Sequence, residues 1–73
     1  MAKTYHAGKK QSNGEYVFVI GVNPGAVQTT NIVENALAFN SEDYATYLAD
    51  IANAIAPEEE YGVFEVETTI KEV

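Results

Sequence analysis

Residues Ser41 to Ala56, SEDYATYLADIANAIA, constrain this chain more than any other stretch, because apolar spacing, start signal and stop signal agree there on one element. The spacing predicts an amphipathic helix. Tyr44, Leu48, Ile51 and Ile55 fall at i, i+4, i+7 and i+11, in one stripe widened by Ala45, Tyr47 and Ala52. Thr46, Asp50 and Asn53 are expected to face the other way. Asn40 and Ser41 compete for the N-cap. Asn40 would place Phe39 and Tyr44 at the spacing of a hydrophobic staple, whereas Ser41 would put Glu42 and Asp43 in the first turn, where the helix dipole favours acids. Pro57 stops the helix, since its imide nitrogen cannot donate to the preceding turn.

The remainder reads as strands and turns that cover the stripe. Lys3 to Gly8, KTYHAG, is a short first strand, and Asn13-Gly14 suits a two-residue hairpin turn because both central residues need positive φ. Glu15 to Val22 follows as the second strand. With a two-residue turn, Tyr5 would face Val22, Ala7 would face Ile20 and Lys9 would face Phe18. Tyr16, Phe18, Ile20 and Val22 then point toward the helix, and Val17 and Val19 to the far face. Asn23-Pro24-Gly25-Ala26 fits a type II turn. Residues 27 to 39 are read as a third strand, with a bulge near Glu34 and Asn35 so that Ile32, Leu37 and Phe39 all point inward; Asn31 to Glu34 could instead begin a short helix. After an acidic loop, Phe64, Val66, Thr68 and Ile70 alternate with Glu65, Glu67, Thr69 and Lys71 as a last strand, its acids on the solvent side. The expected architecture is a single α+β domain over residues 1–73. It is a two-layer sandwich, a four-stranded sheet with one helix on one face, in the order β-β-β-α-β. The fourth strand is expected to run parallel to the third, beside it or, across the sheet, beside the first.

Seventy-three residues bury only about 60% of the unfolded chain's surface, so the core is thin and either marginal stability or a homodimer is expected. There is no cysteine, hence no disulfide staple and no thiolate zinc site. The first residues, MAKTYHAGKKQS, carry lysines with no apolar run behind them, unlike a secretory leader. No segment approaches the roughly 18 apolar residues of a membrane span. A cytoplasmic chain is the expectation.

Charge is the most unusual global property: eleven acids stand against four lysines, with no arginine, for a net charge of −7. Residues 1–14 hold Lys3, Lys9 and Lys10 and no acid; all eleven acids follow, with Lys71 the one base among them. That field disfavours nucleic-acid phosphates, and arginine, the commonest reader of guanine edges, is missing. It favours a basic protein partner and speeds the encounter at low salt. Acidity that merely keeps a small domain soluble is the plainer alternative.

No residue pattern supports catalysis. His6, the single histidine, would lie opposite Gly21 on the open sheet face, with no side chain beside it to work with. Ser12 and Ser41 have structural reasons to be serine, at a turn and a helix cap. A carboxylate pair for general acid and base work needs one buried member, and every acid falls on a loop, a cap or a solvent face. The run Glu58 to Glu60 lacks the alternating ligands and central glycine of a calcium loop, and Gly21 to Gly25 lacks the Lys-Ser or Lys-Thr of a phosphate loop. Neither enzyme activity, nor a cofactor, nor a metal is expected.

Among the five tyrosines, Tyr44 reads as core, whereas Tyr47 and Tyr61 lie beside acids and could border a binding patch. The candidate partner-binding residues are therefore Glu58, Glu59, Glu60, Tyr61, Glu65, Glu67 and Glu72. Small acidic inhibitors of restriction or RNA-guided nucleases, often phage-encoded, are similar in size, charge and absence of a catalytic motif; the likeness is of class and no motif carries it. It implies a nucleic-acid mimic that occupies a basic surface of such a partner. The alternative is a small structural or assembly protein pairing through a sheet face or strand edge, favoured by the expected exposure of Val17 and Val19.

Overall fold

Local signals place the helix correctly: in the computed structural model, which describes residues 2–68 and 70–72, α1 spans Glu42–Ile55. Ser41 takes the N-cap, its Oγ accepting from the Asp43 N–H at 3.3 Å, and Pro57 opens a 3-10 turn, Pro57–Glu59. The strands are β1 (Ala2–Lys10), β2 (Tyr16–Asn23), β3 (Ala26–Thr30) and β4 (Gly62–Thr68). They form one antiparallel sheet, spatial order β3-β2-β1-β4, which with α1 gives the expected α+β fold in the order β-β-β-α-β.

β1 keeps its expected faces, Ala7 toward the helix and His6 away from it, but the faces of β2 are the reverse of expectation, and one residue of loop explains it. Gln11 and Gly14 close a turn (Gly14 N to Gln11 O, 2.9 Å) and Gly14 takes φ 90°, making a three-residue loop in place of a two-residue turn. The register becomes Gly8 opposite Phe18 and Lys10 opposite Tyr16. A slip of one residue turns every side chain over. Val19 is therefore fully buried under the helix with Ala7, while Tyr16 and Phe18 share the far face with His6. Val17 is buried as well, so the far-face exposure expected of Val17 and Val19 does not occur. The bulge lies in β2 at Ile20, between Val19 and Gly21, and brings Val22 back toward the core.

Residues 27–39 do not form one strand. β3 ends at Thr30, whose Oγ1 accepts from the Ile32 N–H at 3.0 Å, and a 3-10 turn follows at Val33–Asn35. Val33, Glu34, Ala36 and Ala38 then share a hollow with Thr4, His6 and Val66 on the far face. The Leu37 N–H donates to the Val19 carbonyl at 3.1 Å, and Phe39 exchanges bonds with Tyr5, N to O at 3.0 Å and O from N at 2.7 Å. Residues 37–39 thus pass between β1 and β2 where those strands part, and Phe39 reaches the helix-side core. Ile32 and Leu37 remain exposed. This return pass adds a reversal: β4 lies beside β1, antiparallel to it, and runs opposite to β3 rather than parallel.

The core sits between α1 and the β1–β4 side of the sheet. Ala45, Leu48, Ala49 and Ala52 are the buried helix residues, an i, i+3, i+4, i+7 stripe rotated from the expected one. Tyr44 is 63% exposed and leans on Phe39, ring centroids 6.3 Å apart, so it flanks the helix start and is no part of the core; with Ser41 as the N-cap the pair does not hold the positions of a hydrophobic staple. Three alanines let the helix approach closely. Tyr47 is exposed as well, and Ile70 lies past the end of β4 in solvent; Thr69 falls outside the described residues.

Candidate protein-binding surface

Glu58, Glu59 and Glu60 are exposed at the turn that leads from α1 into β4. Glu60 holds φ 55° and ψ 60°, the left-handed region in which glycine or asparagine is cheaper. Glu65 and Glu67 stand exposed along β4, on the same face as Val63 and the helix, opposite Tyr5 and Lys3 of β1. Glu72 is exposed beyond the far end of the strand. The candidate acids therefore follow one border of the sheet, from the turn before β4 to the residues after it. They do not converge on a single spot.

Two of them are partly neutralised. Lys9 Nζ lies 2.7 Å from Glu59 Oε2, and Lys3 Nζ lies 3.5 Å from Glu65 Oε1. The same Glu65 oxygen accepts from the Tyr5 hydroxyl at 3.2 Å. Glu58, Glu60, Glu67 and Glu72 pair with no lysine among the described residues.

Tyr61 is not part of this surface. It is only 9% exposed and belongs to the core, its backbone clasped by Asn53: Tyr61 N donates to Asn53 Oδ1 at 2.7 Å, and Asn53 Nδ2 donates to Tyr61 O at 2.9 Å. Asn53, expected on the outer face, thus ties the helix end to the start of β4. Lys9 lies 6.0 Å from the Tyr61 ring centre, covering the ring from the β1 side.

His6 is likewise buried, at 2% exposure, opposite Phe64 rather than Gly21. Its Nε2 and Thr4 Oγ1 are 2.8 Å apart, and its ring meets Phe18 edge-on at 5.6 Å. Nδ1 has no partner among the described residues. Phe18, Tyr16 and Phe64 complete an aromatic cluster, with Tyr16 5.4 Å from Phe64 and Phe18 6.1 Å from Phe64. Two shallow hollows flank it, one walled by Ile32, Val33 and Glu34, the other bordered by Glu65 and Glu67. The sequence carried the aromatic residues of this face, but the wrong hairpin register assigned Tyr16 and Phe18 to the helix side, and the alternation of β4 was read with Phe64 inward and the acids outward, whereas Glu65 and Glu67 lie on the helix side.

Among the described residues no three acid or histidine side chains converge as metal ligands would. Nor is any helix among them long and apolar enough to cross a membrane.

The hydrogen bond to Glu65 raises the Tyr5 pKa, since the phenol must keep its proton to donate. Burial does the same for Tyr61, reinforced by Glu59, and the bond to Glu59 raises Lys9. A pKa higher in the folded than in the unfolded chain contributes stability that is complete below the unfolded value and lost as pH rises through the folded one. Denaturation midpoints should therefore hold steady through neutral pH and fall above about pH 10. In a phenolate absorbance titration, Tyr5→Phe and Tyr61→Phe should each remove a component that ionises above the value of free tyrosine. A high-pH part of the curve that neither substitution changes would contradict this.

Compared with protein-family models, with characterised proteins and with solved structures, the chain matches none.

Proposed function

We propose that this protein is a non-enzymatic binding module whose acidic sheet border occupies a basic, nucleic-acid-binding surface of a protein partner such as a nuclease. The observation that carries the reading is the row of exposed carboxylates from Glu58 to Glu67 along one strand and its lead-in. Along β4, Glu65 and Glu67 are about 6.8 Å apart by strand geometry, of the order of the gap between neighbouring phosphates. The two lysine pairs do not remove the charge from reach. Both involve exposed carboxylates, and such pairs are worth about 0–1 kcal/mol, so a partner's cations can replace them at small cost. Glu60 adds support: a glutamate in a left-handed conformation costs backbone energy that glycine would not.

The test is capture of the partner from host lysate on immobilised protein, followed by competition. The bound fraction should fall steeply between about 0.05 M and about 0.5 M salt. The Glu58→Lys, Glu59→Lys, Glu60→Lys variant should lose it. Nucleic acid should displace the protein from the captured partner. Glu60→Gly should weaken capture while leaving stability unchanged or raising it by about 0.5–1 kcal/mol. Capture indifferent to salt and to the triple variant, or a partner that holds nucleic acid and this protein together, would end the reading.

One observation favours the assembly alternative. β3, the other edge of the sheet, carries no charged residue from Ala26 to Thr30, so two copies could pair there without repulsion. Size-exclusion chromatography reads the resulting dimer directly.

A further inference from the structure

β4 is an open edge with two chemically different sides. β1 pairs with its inner side from Gly62 to Thr68, and among the described residues its outer side has no strand neighbour. Toward the helix face it shows Glu65 and Glu67; toward the other face it shows Phe64 and Val66, both half-buried. Soluble proteins commonly protect such an edge with charged side chains, lysine above all, or with proline, a bulge or a cover; the charges β4 carries, Glu65 and Glu67, guard it against an acidic strand but not against a basic one. β4 contains neither lysine nor proline, and its pairing with β1 is unbroken by a bulge.

We infer that β4 accepts an extended segment of a partner protein as an added strand, one in which basic and apolar side chains alternate. Basic side chains would stand beside Glu65 and Glu67, and apolar ones beside Phe64 and Val66. This rests on the basic partner proposed above and adds how that partner is held.

β1 already shows what β4 selects. On the helix face it meets Glu65 with Lys3 and the Tyr5 hydroxyl; on the other face it places His6 opposite Phe64. An added strand repeats that division on the open side, with main-chain hydrogen bonds supplying the attachment and alternate side chains the selectivity. A second copy of β4 is a poor occupant. Directly opposed residues share a face, so pairing two copies would gather Glu65 and Glu67 from both chains on one side, and like charges opposed across strands repel.

The experiment uses the intact protein and a short synthetic peptide alternating lysine and valine. Two comparison peptides share its composition, one with the residues in two blocks and one N-methylated along its backbone. The alternating peptide should bind and slow amide exchange across residues 63–67, and N-methylation should weaken it about tenfold or more. Glu65→Lys with Glu67→Lys should switch the preference to a peptide alternating glutamate and valine. Equal binding of all three lysine peptides would overturn strand addition while leaving a charge-driven basic partner intact. Failure of the alternating peptide to bind at low salt, while salt-sensitive partner capture persists, would also overturn it. So would β4 amide protection that grows with protein concentration alone, which would assign the edge to a second copy.

Discussion

Gly8→Ala should destabilise the domain by about 1–3 kcal/mol, a large part of the roughly 4–11 kcal/mol available to a chain of this length. A Cβ on Gly8 would collide with the Val17 carbonyl oxygen and stand 3.0 Å from Phe18 Cδ1 and 3.2 Å from Phe18 Cα. The first and last of these are backbone atoms, so no side-chain rotation relieves the contact. The backbone there has little freedom. Gly8 pairs with Phe18 on one side and Gly62 on the other, and just beyond it β1 and β2 separate to admit residues 37–39. Moving β1 away from β2 would strain the hydrogen bonds from Tyr5 to Phe39 and from Leu37 to Val19. Urea unfolding should show a lower midpoint with an unchanged slope. Gly62→Ala is the control, because a Cβ there meets nothing within 4 Å. Equal midpoints for the two variants would refute the close approach.

What was readable in the sequence was what is decided locally. The helix, its stop at Pro57 and the Gly25 turn each depend on a few adjacent residues, and each is found where its signal lies; of the two residues that competed for the N-cap, Asn40 and Ser41, Ser41 takes it. The Asn13-Gly14 turn was also found, but a two-residue and a three-residue loop both suit that dipeptide. The choice between them decides which residues of β2 are buried, and it follows from packing on both faces. Tyr16 and Phe18 were misassigned through that one residue, and His6, on the far face as expected, is buried there because they join it. Residues 31–39 carry no periodicity because their course depends on distant partners, Val19 and Tyr5, that satisfy their backbone groups. The acids were legible as exposed, since an unpaired charge is costly to bury. Tyr61 was not, because an aromatic residue beside a run of glutamates suits a rim as well as a core. The available clue was Asn53: a polar residue bordering an alanine-rich helical stripe suggests a buried partner for its amide.

That amide carries the second large effect. Asn53→Ala should cost about 2 kcal/mol, because it leaves the Tyr61 N–H and C=O without their partner in a partly buried setting, where each unmet group costs about 1–3 kcal/mol before water offsets some of it. Asn53→Asp separates the two bonds: the carboxylate can still accept from the Tyr61 N–H but cannot donate to its carbonyl. It should fall between wild type and alanine in urea unfolding, and an Asn53→Ala midpoint equal to wild type would show the clasp to be idle. The consequence reaches the binding surface. Tyr61 directly precedes β4 and follows Glu58–Glu60, so the clasp holds both the acidic turn and the beginning of the open edge. Without it, amide exchange should quicken across residues 58–63 before the rest of the sheet opens. Partner capture should then weaken with every carboxylate still present, because a preorganised row of charges binds at lower entropic cost than a mobile one. Faster exchange with undiminished capture would mean that the acids act through net charge alone and that their placement along β4 contributes nothing.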